Sequence, residues 1–191
     1  MRLVLVLGLI GLSACVTSRQ PDANLTPVGT VLDYEVVTMT GQRYPFVVTV
    51  TQNDADGRAF SYNLGDGVQV GTVFMTPEAM GAAPNGMLNQ FGSEAYRLTD
   101  RTSVWMARSD VRRLNAGTDL QVNLEVATPV FSSQGCSGTF AFASSTGEAS
   151  ASVCMYAGEG GEQITVLNQE ANPLIMDMGT GAFRVTLQRI R

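Results

Sequence analysis

Hydrophobic and polar side chains alternate along five segments of this chain, all of them beyond residue 28. Successive side chains of a β-strand point to opposite faces, so this period of two predicts strands with one buried face. The apolar positions of the five segments are, in order, Leu32, Tyr34 and Val36; Phe46, Val48 and Val50; Phe60, Tyr62 and Leu64; Leu120, Val122, Leu124 and Val126; and Phe183, Val185 and Leu187.

Turn sequences rich in glycine separate these segments. Short strands joined by such turns are typical of antiparallel sheets, because glycine adopts the positive φ angles that tight turns require. The pattern therefore predicts an all-β fold, an antiparallel sandwich or a barrel-like roll with one or two short helices. The turns are Asp56-Gly57, Gly65-Asp66-Gly67, Asn115-Ala116-Gly117 and Gly179-Thr180-Gly181.

Two short helices are predicted between the strands. The first has Thr76 as its N-cap and Pro77 at its first position, and it runs to about Met80. The second has Ser109 as its N-cap and is stopped by Gly117. These assignments leave most of the domain in strands and turns.

Each predicted helix follows the end of a predicted strand. The two strand ends have similar sequences, TVFM at 72–75 and SVWM at 103–106. The segment 80–94, MGAAPNGMLNQFGSE, has no apolar period and is predicted to be a loop over one end of the sheet.

The beginning of the chain has a different character. Arg2 is followed by an almost wholly aliphatic run from Leu3 to Leu12. As a helix this run would be only about 15 Å long, roughly half the thickness of a bilayer core. A charged start, a short apolar core and small residues after it are typical of a secretory signal.

The residues that end this run, Leu12-Ser13-Ala14-Cys15, resemble the lipobox of bacterial lipoproteins, in which a small residue precedes an obligatory cysteine. The resemblance implies that a diacylglycerol is joined to the sulfur of Cys15, that the chain is cut after Ala14, and that the new amino end is acylated, for example with palmitate. Two or three acyl chains anchor a protein stably in a membrane, whereas one holds it marginally. An ordinary cleaved signal with an incidental Cys15, or an uncleaved anchor, are the alternatives.

The same resemblance indicates a location. In that family an aspartate directly after the cysteine often retains the protein at the inner membrane, and Val16 and Thr17 stand there instead. The expected location is therefore the outer membrane, with the folded part facing the periplasm. Residues 1–14 are then the signal peptide, 15–28 the lipidated cysteine and a flexible, proline-containing tether, and 29–191 a single β-rich domain.

Two further cysteines, Cys136 and Cys154, flank a Ser-Ser-Thr-Gly turn. A hairpin centred at Ser145 would place them opposite each other, and an oxidising compartment favours a disulfide between them. Phe140 and Phe142 share the parity of Cys136, but Ala151 and Val153 do not share the parity of Cys154. Either a β-bulge shifts the register or one strand is not cleanly amphipathic. Two free, buried thiols are the alternative.

The amino-acid composition argues against several kinds of partner and catalytic chemistry for this chain. The chain has 12 basic residues, all arginine, and 17 acidic residues, and the loss of Arg2 with the signal lowers its net charge from −5 to −6. Nucleic acid is not an expected partner, because phosphate binding needs a basic surface. Without His or Lys, the usual hydrolase base, Schiff-base chemistry and the commonest metal ligand are missing. No catalytic residue, metal site or cofactor is predicted.

Arginines nevertheless gather in one stretch of this acidic protein. Their guanidinium groups grip phosphates and carboxylates with two hydrogen bonds, so an anion site for a lipid headgroup or peptidoglycan is one hypothesis. A solvated helix compensated by nearby acids is the other. The candidates are Arg97, Arg101, Arg108, Arg112 and Arg113.

The expected function is that of a membrane-anchored envelope lipoprotein, a non-enzymatic binding or structural module. Its partners would be the membrane, through Cys15, and an envelope protein, lipid headgroup or peptidoglycan. The first alternative is a carrier of an apolar ligand such as a fatty acyl chain, since barrels can enclose such cavities. The second is a carboxylate hydrolase, for which Asp33 with Glu35, or Glu94 with Asp100, would have to face each other across a cleft.

Overall fold

The computed structural model describes residues 25–191 of the chain. This part contains eleven strands and two short helices, joined by turns and loops. The predicted all-β fold is confirmed. The strands are β1 (Val31–Thr38), β2 (Arg43–Asp54), β3 (Gly57–Leu64), β4 (Gln69–Met75), β5 (Ala95–Leu98), β6 (Leu120–Gln121), β7 (Val130–Ser144), β8 (Gly147–Gly158), β9 (Gln163–Leu167), β10 (Ile175–Gly179) and β11 (Phe183–Ile190). The helices are α1 (Pro77–Gly81) and α2 (Arg108–Asn115).

All strands belong to one sheet with the order β5-β4-β3-β2-β1-β11-β10-β9-β8-β7-β6. Neighbours are antiparallel except for β4 with β5 and a short parallel contact between β11 and β7. Because β1 occupies one edge of β11 along its length, β10 and then β7 share the other edge. Strands β7 to β11 therefore close on themselves, and β1 to β5 extend from this ring as a roll.

Two clusters of buried side chains fill the molecule. The first core lies between β1–β4 and one face of β7–β11, and it contains Phe60, Trp105 and Val153. The second core lies on the other face of β8–β10, under α2 and the segment 120–124, and it contains Cys154 and Tyr156. Adjacent side chains of a strand point to opposite faces, which is why Val153 and Cys154 belong to different cores.

The predicted disulfide and its bulge are both confirmed. Cys136 and Cys154 are bonded with an S–S distance of 2.01 Å. The register of β7 against β8 shifts between Gly135 and Gly138, so that Cys136 and Ser137 together stand opposite Cys154. This extra residue accounts for the mismatch in parity. In the chain-entropy treatment, closing a loop of this size contributes about 3 kcal/mol to stability.

The strand predicted over 120–126 is wrong beyond its first residues. Only Leu120 and Gln121 are in a strand, although Val122 and Leu124 are buried as expected. The amide of Leu124 donates to the carbonyl of Ala127 at 2.8 Å, and a φ of 63° at the next residue, 125, turns the chain. The alternating apolar residues here therefore belong to a tight turn and not to a strand hydrogen-bonded to a neighbour.

The helices show one success and one error. Thr76 caps α1 as predicted, with its hydroxyl oxygen accepting from the amide of Ala79 at 3.3 Å. The predicted cap of α2 by Ser109 is wrong, because the helix begins earlier and has Ala107 as an N-cap without a side-chain bond. Gly117 follows the end of α2 with a φ of 77°, as the stop signal indicated.

The segment SVWM at 103–106 is not a strand, although the related TVFM at 72–75 lies in β4. Trp105 makes one isolated bridge to Leu174. Its neighbour Val104 has a φ of 64°, an uncommon conformation for a β-branched residue.

The folded domain also begins before residue 29, where the tether was predicted to end. Thr26 is fully buried, and Leu25 packs against the first core. The signal, Cys15 and the first part of the tether lie outside the described residues.

Candidate functional site

An apolar pocket opens at one end of the first core, where that core meets Met87, Ile175 and Met178 of the second core. Its floor is a row of side chains that β-sheet register places next to one another: Tyr44 on β2, Val36 on β1, Val185 on β11 and Met178 on β10. The alternation of each strand turns these four side chains to the same face. The sheet therefore supplies a continuous apolar surface four strands wide.

The walls come from segments outside the sheet floor. The predicted loop at 80–94 does cross one end of the sheet, and its residues Met87, Asn89 and Phe91 line the pocket. The ring of Phe91 lies 5.0 Å from that of Phe46 and 4.9 Å from that of Tyr62, between ring centroids. These aromatic contacts fix the loop against the sheet.

The pocket is narrow. It contains about 590 Å³ of empty space when its open mouth is included. Only about 80 Å³ of this lies far enough from the walls to hold the centre of a water molecule. The space suits a slim group better than a bulky one.

None of the residues that line this pocket carries a charge. Its buried polar groups already have partners inside the protein. The Tyr34 hydroxyl donates to the carbonyl of Ile175 at 2.8 Å, and burial raises the pKa of Tyr34. The Ser103 hydroxyl donates to the carbonyl of Leu88 at 2.9 Å, and the Asn89 amide donates to a backbone carbonyl at 3.3 Å. The pocket therefore offers a ligand chiefly apolar contact.

A buried arginine closes the opposite end of the first core. Only 8% of Arg58 is exposed. Its Nε donates to Asn53 Oδ1 at 2.9 Å and its Nη2 to the carbonyl of Ala171 at 2.7 Å, and its guanidinium lies 5.3 Å from the centre of the Trp105 ring. Sequence alternation does not predict a site at Arg58, although Arg58 shares the parity of the buried residues in β3.

The charge of this arginine is not compensated by an acid. Arg58 takes part in none of the ion pairs among residues 25–191. Burial, reinforced by the charge of Arg108, lowers the pKa of Arg58 to about 10. Its Nη1 is buried and has no hydrogen-bond partner within the described part of the chain. Burying a cation in this way is unfavourable.

Asn172 joins this end of the core to the beginning of the described chain. Its Oδ1 accepts from the indole nitrogen of Trp105 at 2.9 Å and from the hydroxyl of Thr26 at 3.2 Å. Asn53 donates to the carbonyl of Thr26 at 2.7 Å. Thr26, Asn53, Arg58, Trp105 and Asn172 therefore form one connected group, called the polar end below.

The structure separates the five candidate anion-binding arginines. Arg97 and Arg101 line a polar cleft that also contains the acids Glu94, Asp100 and Glu125. Arg101 pairs with Glu125 at 2.9 Å, and the guanidinium of Arg97 lies 4.7 Å from the ring centre of Phe74.

The other three arginines, Arg108, Arg112 and Arg113, are on α2. Arg112 pairs with Glu170 at 2.9 Å. Neither Arg108 nor Arg113 has an ion-pair partner among the described residues. An anion site at any of the five stays a prediction.

Within residues 25–191, no three or more His, Cys, Asp or Glu side chains are arranged to hold a metal ion. Neither described helix is long and apolar enough to cross a membrane. A comparison with models of known protein families, with curated proteins and with solved structures finds nothing that matches the chain.

Proposed function

We propose that this protein is a lipid-anchored lipoprotein of the bacterial outer membrane, whose β-domain acts in the periplasm as a non-enzymatic binding module. The observation that carries this proposal is the sequence Leu12-Ser13-Ala14-Cys15 directly behind a short apolar run. The Cys136–Cys154 disulfide supports it, since such bonds persist in oxidising compartments outside the cytoplasm.

The anchoring is tested by replacing Cys15 with serine. The unchanged protein is expected in the membrane fraction, with an intact mass raised by its acyl groups above that of the chain beginning at Cys15. The C15S variant is expected to leave the membrane fraction. V16S is the matched control, because it changes the neighbouring residue and keeps the thiol. C15S protein that stays in the membrane fraction at the processed size would overturn the proposal.

The sorting prediction has its own test. Aspartate at position 16 should hold the protein at the inner membrane if the family's sorting rule applies here. On a density gradient, the unchanged protein is expected in the outer membrane and V16D, with the same lipid mass, in the inner membrane. The unchanged protein in the inner membrane would contradict the outer-membrane assignment, while leaving lipidation intact.

A carrier of an apolar ligand is the second candidate function, and one observation favours it. The domain has a narrow, uncharged pocket rather than a fully closed core at one end. Pockets lined mainly by apolar and aromatic side chains are the usual sites of small-molecule binding. The carboxylate hydrolase gains no such support, because Asp33 and Glu35 are paired with Arg191 and Arg43. Asp100 accepts a hydrogen bond from the side-chain amide of Asn85 at 2.6 Å.

A further inference from the structure

We propose that the apolar pocket binds one hydrocarbon chain end-on, and that the charge of the chain's polar head contributes nothing to binding because the head stays outside. This inference rests on the carrier candidate and gives its ligand a chemical class: an unbranched acyl or alkyl chain, as an ester, an amide or a free acid.

The first support is the chemistry of the floor. Charged residues do flank the floor positions along the strands, but alternation turns them to the outer face of the sheet. There they neutralise one another: Arg43 pairs with Glu35 at 2.7 Å, and Arg184 pairs with Asp177 at 2.8 Å. The flanking cations are therefore held away from the pocket, so none is available to a carboxylate inside it. An unpaired carboxylate inside would cost several kcal/mol.

The second support is the distribution of exposure around the pocket. Val36, Phe46 and Met178 are buried at its base. Tyr44 and Val185 are half-buried, as are three further apolar lining residues, Leu64, Phe91 and Phe183. Half-exposed apolar residues around a deeper apolar base describe an open mouth. A ligand entering there buries its apolar end first.

The third support is size. The space between the sheet floor and the loop at 80–94 is small, about 80 Å³, and a single hydrocarbon chain has a smaller cross-section than a fused ring system. A slim chain gains apolar burial at each methylene group, about 0.8 kcal/mol per group. It also leaves the aromatic contacts of Phe91 in place.

The test uses the full chain with the C15S change, so that neither a membrane nor a detergent competes for the pocket. The probes are parinaric acid, a fluorescent polyene fatty acid that is ionised at neutral pH, and its uncharged methyl ester. Trp105 is the only tryptophan and directly follows Val104 of the pocket wall, so energy transfer from it reports a bound polyene. Acid and ester should bind with affinities within about threefold of each other, and added salt should leave both affinities unchanged.

Two pairs of variants locate the site. V185F fills the floor and should weaken binding of both probes by about tenfold or more, whereas V70F, at an exposed position of β4, should not. L64R places a cation at the half-buried mouth and should make the acid bind more tightly than the ester, whereas V70R should leave the two equal. The arginine pair keeps the test decisive if V185F does not fold.

Several outcomes would overturn the inference. These are no binding of either probe, equal binding by V185F and V70F, or an acid preference in the starting protein that salt removes. The last result would instead indicate that an arginine side chain binds the carboxylate of the acid. None of these outcomes bears on lipid anchoring, which the membrane fractionation measures separately.

Discussion

The first core ends in two opposite ways. At the polar end, Arg58, Asn172 and Thr26 close the interior with hydrogen bonds and leave almost nothing exposed. At the pocket end, apolar side chains such as Tyr44 and Phe91 stop short of closing it. Strand β2 connects the ends, since Tyr44 and Asn53 lie on it about 30 Å apart at the usual rise per residue.

The difference shows what each kind of closure demands. A polar closure needs a partner for every buried group, and here the demand is not fully met, since Arg58 Nη1 and Asn172 Nδ2 have no protein partner within the described residues. The apolar opening needs no partners, but it leaves hydrophobic surface in contact with water. We therefore expect stability to depend chiefly on the polar end and ligand binding on the pocket end.

The largest expected effect is at Arg58. R58A removes two hydrogen bonds and the contact with Trp105, leaves the oxygens of Asn53 and Ala171 unpaired, and should lower the free energy of unfolding by about 3 kcal/mol. Urea unfolding measures this. The control is R43A, whose exposed ion pair on the same sheet should contribute at most about 1 kcal/mol. Equal losses in the two variants would show that the polar end is not critical.

The next effect is at Asn172. N172A leaves the indole N–H of Trp105 unpaired in full burial and frees Thr26, and should cost about 2 kcal/mol. Water entering near the indole would also shift the fluorescence of Trp105 to longer wavelength. N168A, at an exposed position, should change neither quantity. An unshifted emission maximum in N172A would mean that the indole stays dry without its partner.

A smaller loss of stability is expected at the pocket end. F91A removes a half-buried ring that contacts Phe46 and Tyr62, and should cost about 1–2 kcal/mol, less than R58A. It should also change the affinity for parinarate methyl ester, which R58A should leave unchanged once the folded fraction is accounted for. If R58A alters affinity as much as F91A, the two ends are coupled rather than independent.

The last expected effect is a dependence on alkaline pH, about 1 kcal/mol by pH 11. The pKa of Arg58 is lowered to about 10 in the folded protein, so between this value and its usual 12.5 the unfolded chain binds more protons. Stability then rises with pH through this group, because folding no longer buries a charge. The stability of the unchanged protein relative to R58M should therefore increase as pH rises through about 10, measured by urea unfolding at each pH. A difference that is flat or falling over this range would contradict the assigned shift.

The alternation of apolar and polar residues predicted the strands that have one face on the first core. It placed Leu32, Phe46 and Phe60 correctly, because in β1 to β3 burial follows a strict period of two. It did not identify β9 or assign the faces of β10, where residues 175–178 are buried without interruption because both cores meet there. Met176 and Met178 share parity, yet a bulge puts them in different cores.

The sites were harder to foresee than the strands. The pocket floor depends on which strands become neighbours, and Val36 and Val185 are far apart in the chain but directly paired in the sheet. The alternation of apolar residues along the chain does not show which residues of distant strands are paired. Arg58 shares the parity of Phe60, so the alternation of β3 already places this charged residue at an inward position. The five arginines are close along the chain, yet Arg97 lies on β5 and three of them lie on α2, and closeness in sequence does not show this division.

Thr26 has a consequence for how the molecule would be presented to its surroundings. It fastens the chain at the polar end, the side of the domain remote from the pocket mouth. The described chain therefore begins on the side of the domain away from the pocket mouth. If Cys15 carries the proposed lipid, the mouth is accessible to a ligand while the amino end of the chain is anchored.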